Sequence, residues 1–278
     1  MSEIDTALGV VGATPVVLGA RATLVRYLGG RRLLQMQSAG TDDEEELAVI
    51  VTTSATDVSP VGPEVRRHTT GIGQIRALAE CAQSVGFFYR RMPISPRMSR
   101  EVPDPDVLDT DVVLLGGLDG NDCSIAFVER IRQTFGEISL YYNDAATNDL
   151  RVGSFACENY PLNQSGTARP VTQDLGLIVF WRNPWAQEVR RAILCLGFSS
   201  FGTGAAARYA FRTIVPSRWR DPRSERPKLK RVRDAIRKPT DCVICVIETF
   251  FSLEGGSPRS ALRTAWRYRE GTEPRRLV

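Results

Sequence analysis

Three stretches rich in glycine and hydroxyl residues each follow an apolar run, and they hold most of the side chains in this chain equipped to meet a ligand. The first is TTSATD at 52–57, with TTGIGQ opening the next helix at 69–74. The second is GGLDGND at 116–122, and the third is GFSSFGTGAAA at 197–207. Glycine lets a backbone come close to a ligand. The amino end of a helix offers unpaired N–H groups and a positive dipole end to an anion. The candidate contacts are therefore Ser54 and Asp57 in the first stretch, with Thr70, Gly71 and Gly73 at the helix start that follows. Gly116, Gly117, Asn121 and Asp122 are the candidates in the second, and Gly202, Thr203 and Gly204 in the third.

The chemistry available to these loops is narrow. They contain no lysine and no G-x-x-x-x-G-K-[ST] motif, which excludes a Walker-type nucleoside triphosphatase. Gly202-x-Gly204-x-x-Ala207 has the spacing of a dinucleotide fingerprint. Its glycines begin several residues past the strand, and no strand with an acidic end follows, so a helix cap with small residues for close packing is the simpler expectation. His68 is the only histidine, which leaves one imidazole base and argues against any site built on several histidines. Ser54 does not sit in a G-x-S-x-G elbow. The remaining carboxyl and amide candidates are Asp119, Asn143, Asp144 and Glu158, beside Asp57, Asn121 and Asp122. Asn121 reads equally as a ligand contact and as the cap of the helix after it. Tyr141, Tyr142, Trp181 and Trp185 can stack on a flat ring, but core packing is the plainer reading. Cys242 and Cys245 spell C-x-x-C within a strand-like run, where positions i and i+3 point to opposite faces, so no metal is expected there.

The elements that must position these residues follow from the apolar pattern. ELAVIVTTS (46–54) and DVVLLGG (111–117) read as strands buried on both faces. TTGIGQIRALAECAQSVG reads as a helix with Thr69 and Thr70 as cap candidates, GFFYRRMPI as the next strand, and 121–135 as a second helix. DLGLIVFWR and RRAILCLGF flank an Asn-Pro turn and predict an antiparallel hairpin. A helix over GTGAAARYAFRTI, a basic segment, a strand at 241–250 and a loose Arg-rich tail complete the chain. The expected fold is α/β, a three-layer, Rossmann-like mixed sheet, parallel in its first half with an antiparallel hairpin in its second. The expected division is an amino-terminal segment and acidic linker at 1–45, an α/β domain at 46–250 and the tail at 251–278. The three stretches then lie at strand carboxyl ends, where ligands bind in open α/β sheets.

With 278 residues, 42% of them hydrophobic and 24% charged, the chain has ample material for a buried core. The net charge of +4 is unevenly spread: Ser217 to Lys238 holds ten Lys or Arg against three acids, a local +7. Arg218, Arg220, Lys228, Lys230, Arg231 and Arg233 in that segment make nucleic acid or an anionic lipid a candidate partner. A helix over VRDAIRK is expected to turn Val232 and Ile236 inward and Arg231, Arg233 and Lys238 outward. Dispersed thiols and the lack of a signal peptide favour a cytoplasmic setting. The alternative is a membrane anchor through residues 8–27, facing the cytoplasm.

TTGIGQ, GG-x-x-x-N, the NPW turn and G-x-x-x-x-G-T-x-A-A together resemble a pattern found in uncharacterised prokaryotic Rossmann-like domains akin to nucleotide-sensing proteins of signalling and defence. The resemblance spans about residues 46–250 and carries no assigned catalytic residue. It implies a module that binds or senses a nucleotide-like small molecule. One alternative is an enzyme that cleaves a glycosidic or phosphate bond of such a ligand with Asp57 or Asp122. Another is a protein that binds nucleic acid or an anionic surface through 217–238.

Overall fold

Leu47–Val51 (β1) and Val112–Leu115 (β5) are apolar and buried at every position. Strands without polar alternation must be covered on both faces. The computed structural model describes residues 23, 27–28, 30–31, 33–36, 46–52, 54–56, 67–89, 92–117, 120–136, 141–142, 150–157, 173–215, 224–251 and 258–278. In it β1 pairs in parallel with Ile94–Met98 (β4) on one side and with β5 on the other, and β5 pairs in parallel with Arg191–Gly197 (β10). Direction then reverses. Gln173–Arg182 (β9) runs antiparallel to β10, followed by Cys242–Phe250 (β11), Arg259–Tyr268 (β12) and Arg275–Arg276 (β13). The order is β13-β12-β11-β9-β10-β5-β1-β4. The fold is thus α/β with a mixed sheet, and the hairpin around the NPW turn forms as expected. Asn183 holds that turn: its amide donates to the carbonyls of Leu108 and Thr110, and its Oδ1 accepts from Trp185 N.

Both faces of the sheet are covered. Val49, Val113, Cys195 and Cys245 share a buried cluster with Ile72–Phe88 (α1), Ser200–Tyr209 (α3) and Arg226–Ile236 (α4). Ile50, Leu114, Leu194 and Cys242 share the opposite cluster with Asp122–Phe135 (α2) and with Leu150–Val152 (β7). Cys242 and Cys245 therefore face opposite sides of the sheet, as the strand period requires. Two smaller sheets lie apart: Ser54–Thr56 (β2) with Arg67–Thr69 (β3), and Tyr141–Tyr142 (β6) with β7 and Phe155–Cys157 (β8).

Several expectations are corrected. GFF is not strand, because Ala77, Cys81, Val85 and Phe88 continue one buried stripe of α1 and the strand begins only after Pro93, at Ile94. The cap of α1 is Gly71 rather than Thr69 or Thr70. His68 lies in β3, with its backbone opposite Ala55, and not in a loop. The tail is not loose: β12 is a full strand of the main sheet, and it buries Leu262, Ala265 and Tyr268. Nor does the domain start at 46, because Leu33, Leu34 and Met36 are buried in the core and Arg191 donates to the carbonyls of Leu33 and Leu34. Arg233 turns inward. It is 5% exposed, and its guanidinium donates to the carbonyls of Thr213 and Ile214, which end the π-helical turn after α3. No helix among the described residues is long and apolar enough to cross a membrane. Most of residues 8–27 lies outside the described residues.

Candidate functional site

Parallel pairing of β1, β5 and β10 brings their carboxyl ends to one edge of the sheet. From β1 the chain passes through α1 on one face to β4, and from β5 it enters α2 on the other face. The crevice between β1 and β5 is thus the place where the connections diverge, the usual ligand position in such sheets. Thr52 closes the end of β1, with its N–H and Oγ1 both donating to the carbonyl of Leu115 at 3.0 and 3.1 Å. Gly116 follows β5 with φ +122°, and a Cβ there would lie 1.5 Å from Thr52 Oγ1. Only glycine meets both demands.

Two helices on the same face begin at this edge. The Cβ of any residue replacing Gly73 would lie 1.6 Å from the Ser200 carbonyl oxygen, and one at Gly204 would lie 2.9 Å from the Gly73 carbonyl oxygen. The first turns of α1 and α3 therefore touch backbone to backbone. Each helix follows a parallel strand on the same face, so their positive ends stand side by side.

The two ends are not alike. At α3, Ser199 Oγ accepts from the N–H groups of Phe201 and Gly202. Asp174, at the start of β9, accepts from Ser199 N at 3.2 Å and from Ser199 Oγ at 2.5 Å. Burial lifts the Asp174 carboxyl to about 6, against the opposing pull of the Ser199 hydroxyl and the backbone N–H groups of Ser199, Gly202 and Leu175. A carboxylate of the chain itself thus fills the anion position at α3. At α1 the cap Gly71 supplies no side-chain bond, and the first turn holds no acid. Gln74 Oε1 and Thr70 Oγ1 lie buried beside this end without a hydrogen-bond partner, and Gln74 is only 7% exposed. A Cβ at Gly71 would lie 2.5 Å from Gln74 Oε1, which places that oxygen at the cap.

Large apolar side chains stand exposed around the two ends. Ile72 and Ile75 are each 50% exposed on the first turn of α1, and Phe201 is 38% exposed on that of α3. Phe250, at the same edge through its pairing with Gln173, is 48% exposed, and the Phe201 ring meets that of Phe251 edge-on at 6.1 Å.

The residues expected at the site divide accordingly. Gly71, Gly73, Gly116, Gly117, Gly202 and Gly204 converge on this edge, but Gly73, Gly202 and Gly204 serve the contact between helices and with Asp174. Thr203 is fully buried, and its hydroxyl donates to the Ser199 carbonyl. Asn121 caps α2: its Oδ1 accepts from Ser124 N, its Nδ2 donates to the Leu115 carbonyl, and it is fully buried. Asp122 is exposed on α2's first turn, with its N–H donating to Ser99 Oγ. Ser54 lies in β2. Asp57, Asp119, Asn143, Asp144 and Glu158 lie outside the described residues. Trp181 is core, packed at 5.8 Å from Phe127 and 5.4 Å from Phe135, and Trp185 covers Phe127 at 6.0 Å.

Sequence reasoning missed Asp174, Gln74 and the apolar rim. Asp174 was within reach of it. An antiparallel hairpin sets Gly176 opposite Gly197, and this carries the acid that opens β9 to the GFSSFGTG loop. Among the described residues no group of His, Cys, Asp and Glu is arranged to hold a metal. No protein-family model, curated protein or solved structure matches this chain.

Proposed function

We propose that this chain binds a nucleotide or nucleotide-derived small molecule, with a phosphate at the amino end of α1 and the base over the apolar rim of Ile72, Ile75 and Phe201. The observation that carries the reading is the uncapped end of α1 beside the unpartnered polar atoms of Gln74 and Thr70. Buried polar groups without partners are rare, and each calls for a cause. A phosphate accepts from helix N–H groups and takes a hydrogen bond from a hydroxyl or amide, which would satisfy all three. The amide orientation of Gln74 is free to reverse for this purpose.

The reading takes the fold as three-layered and Rossmann-like, with its ligand at the divergence between β1 and β5. It favours sensing over catalysis, since the one described carboxyl at this edge with a lifted pKa, Asp174, is enclosed by Ser199 and Gly202. A cytoplasmic role in signalling or defence accords with the resemblance of its motifs and with six free thiols, five of them buried.

The test is calorimetric titration with adenosine and guanosine phosphates, a nicotinamide dinucleotide and cyclic dinucleotides, on the wild type and on Gln74→Leu. The variant removes a buried polar group that has no partner, so its melting temperature should hold or rise. Its affinity for the bound nucleotide should fall about tenfold or more. If no member of the panel binds, or the variant binds as tightly as the wild type, the proposal fails.

A further inference from the structure

The basic segment and the carboxyl-terminal strands meet at the opposite edge of the sheet from the candidate site. Arg267 of β12 lies opposite Val243 at the start of β11, and Val243 lies opposite Phe180 near the end of β9. Phe250, at the other end of β11, marks the edge that holds the site. Between α4 and β13 runs a groove of about 340 Å³ lined by Arg231, Lys238, Arg267, Arg275, Arg276 and the single acid Asp234. Lys230 and Arg237 pair with Asp234. Lys238 and Arg275 are exposed and pair with no acid among the described residues. The Arg231 guanidinium donates to the Leu277 carbonyl and Arg276 Nε donates to the Val278 oxygen, which holds both side chains in place.

We infer that this groove is a second binding site, for the phosphodiester backbone of duplex nucleic acid. Arg267 pairs with the buried Asp241 at 3.8 Å, which leaves Arg231, Lys238, Arg275 and Arg276 to give the groove its positive field, and arginine forks suit phosphate oxygens. Among the described residues no aromatic side chain lines the groove, so those residues offer the bases of a single strand no stacking platform. Among the described lining residues the one large apolar side chain, Leu277, packs against the core and is not presented for insertion into a membrane surface. The charge was half legible in the sequence. The local excess at 217–238 was visible, but Arg233 is spent inside the fold, and Arg267, Arg275 and Arg276 arrive from the strands that replace the expected tail. Arg218 and Arg220 lie outside the described residues.

The probe is a fluorescent random-sequence DNA duplex, followed by anisotropy at 50 and 200 mM salt in wild type, Lys238→Glu/Arg275→Glu and Gln74→Leu, with phosphatidylserine vesicles as a parallel arm. Neutralising about four phosphates predicts a loss on the order of 100-fold in wild-type affinity between the two salt concentrations. The charge-reversed variant should melt as the wild type does, bind at least about tenfold more weakly and lower the salt slope by about 2. Gln74→Leu should bind the duplex as the wild type does, which separates this site from the nucleotide site. Absence of duplex binding at 50 mM salt, equal binding by the charge-reversed variant, or variant-sensitive binding to vesicles without binding to DNA would each overturn the inference.

Discussion

Asp174 is a carboxylate that the chain buries against the amino end of its own helix. The helix end and the Ser199 hydroxyl favour its charged form, but burial outweighs them and lifts the carboxyl from 3.8 to about 6. Between those two values the folded state holds more protons than the unfolded state, so stability contributed by this group falls as pH rises through the window. Asp174→Asn keeps an oxygen to accept from Ser199 and removes the buried charge. Its melting temperature, measured against wild type from pH 4 to 8, should match near pH 4 and exceed it above about pH 6. The gain should be on the order of 3 kcal/mol, since each pKa unit carries about 1.4 kcal/mol. A variant less stable than wild type at pH 7 would show that the ionised form is needed at the helix end. This same carboxylate explains why the GTG sequence at 202–204 resembles a phosphate loop yet is closed: the space beside Gly202 already holds Asp174, 2.3 Å from where a Cβ would sit.

Two glycines of one helix carry opposite expectations at the level of elements. Gly73 lets α1 cross α3 with backbone atoms in contact, whereas Gly86, further along α1, has nothing within 4 Å of an added Cβ. Gly73→Ala must push the helices apart and should cost about 3 kcal/mol or more. Gly86→Ala fills open space in a helix and should stabilise by about 0.5 to 1 kcal/mol. Thermal or urea unfolding of the two variants checks both signs, and equal effects would mean that the crossing is not held at Gly73. The same contrast shows what the sequence could reveal. The buried strands β1, β5 and β10 were legible because short unbroken apolar runs, ended by threonines after β1 and by glycine at β5 and β10, admit little else. The hairpin was legible from its Asn-Pro turn. Strand β12 was not, because its arginines alternate with small residues in RSALRTAWRY and resemble a solvated tail until Leu262, Ala265 and Tyr268 are seen facing the core. The contact of Gly73 with α3 was not legible, since close approach to a ligand and close approach to a second helix demand the same residue.

The whole molecule sets two unlike ends on one sheet. The carboxyl edge of the parallel strands carries the adjacent amino ends of α1 and α3, a polar floor with an apolar rim. The opposite edge carries the cationic groove between α4 and β13. A small ligand and a polyanion would therefore bind without competing for residues. The most direct measurement of the central claim is amide hydrogen exchange with and without the nucleotide that binds most tightly in the calorimetric panel. The account predicts slowed exchange over Thr70–Gln74 and Leu115–Gly117, with the groove residues Arg231–Lys238 and Arg275–Leu277 unchanged. Slowed exchange confined to those groove segments, with none at the start of α1, would contradict it.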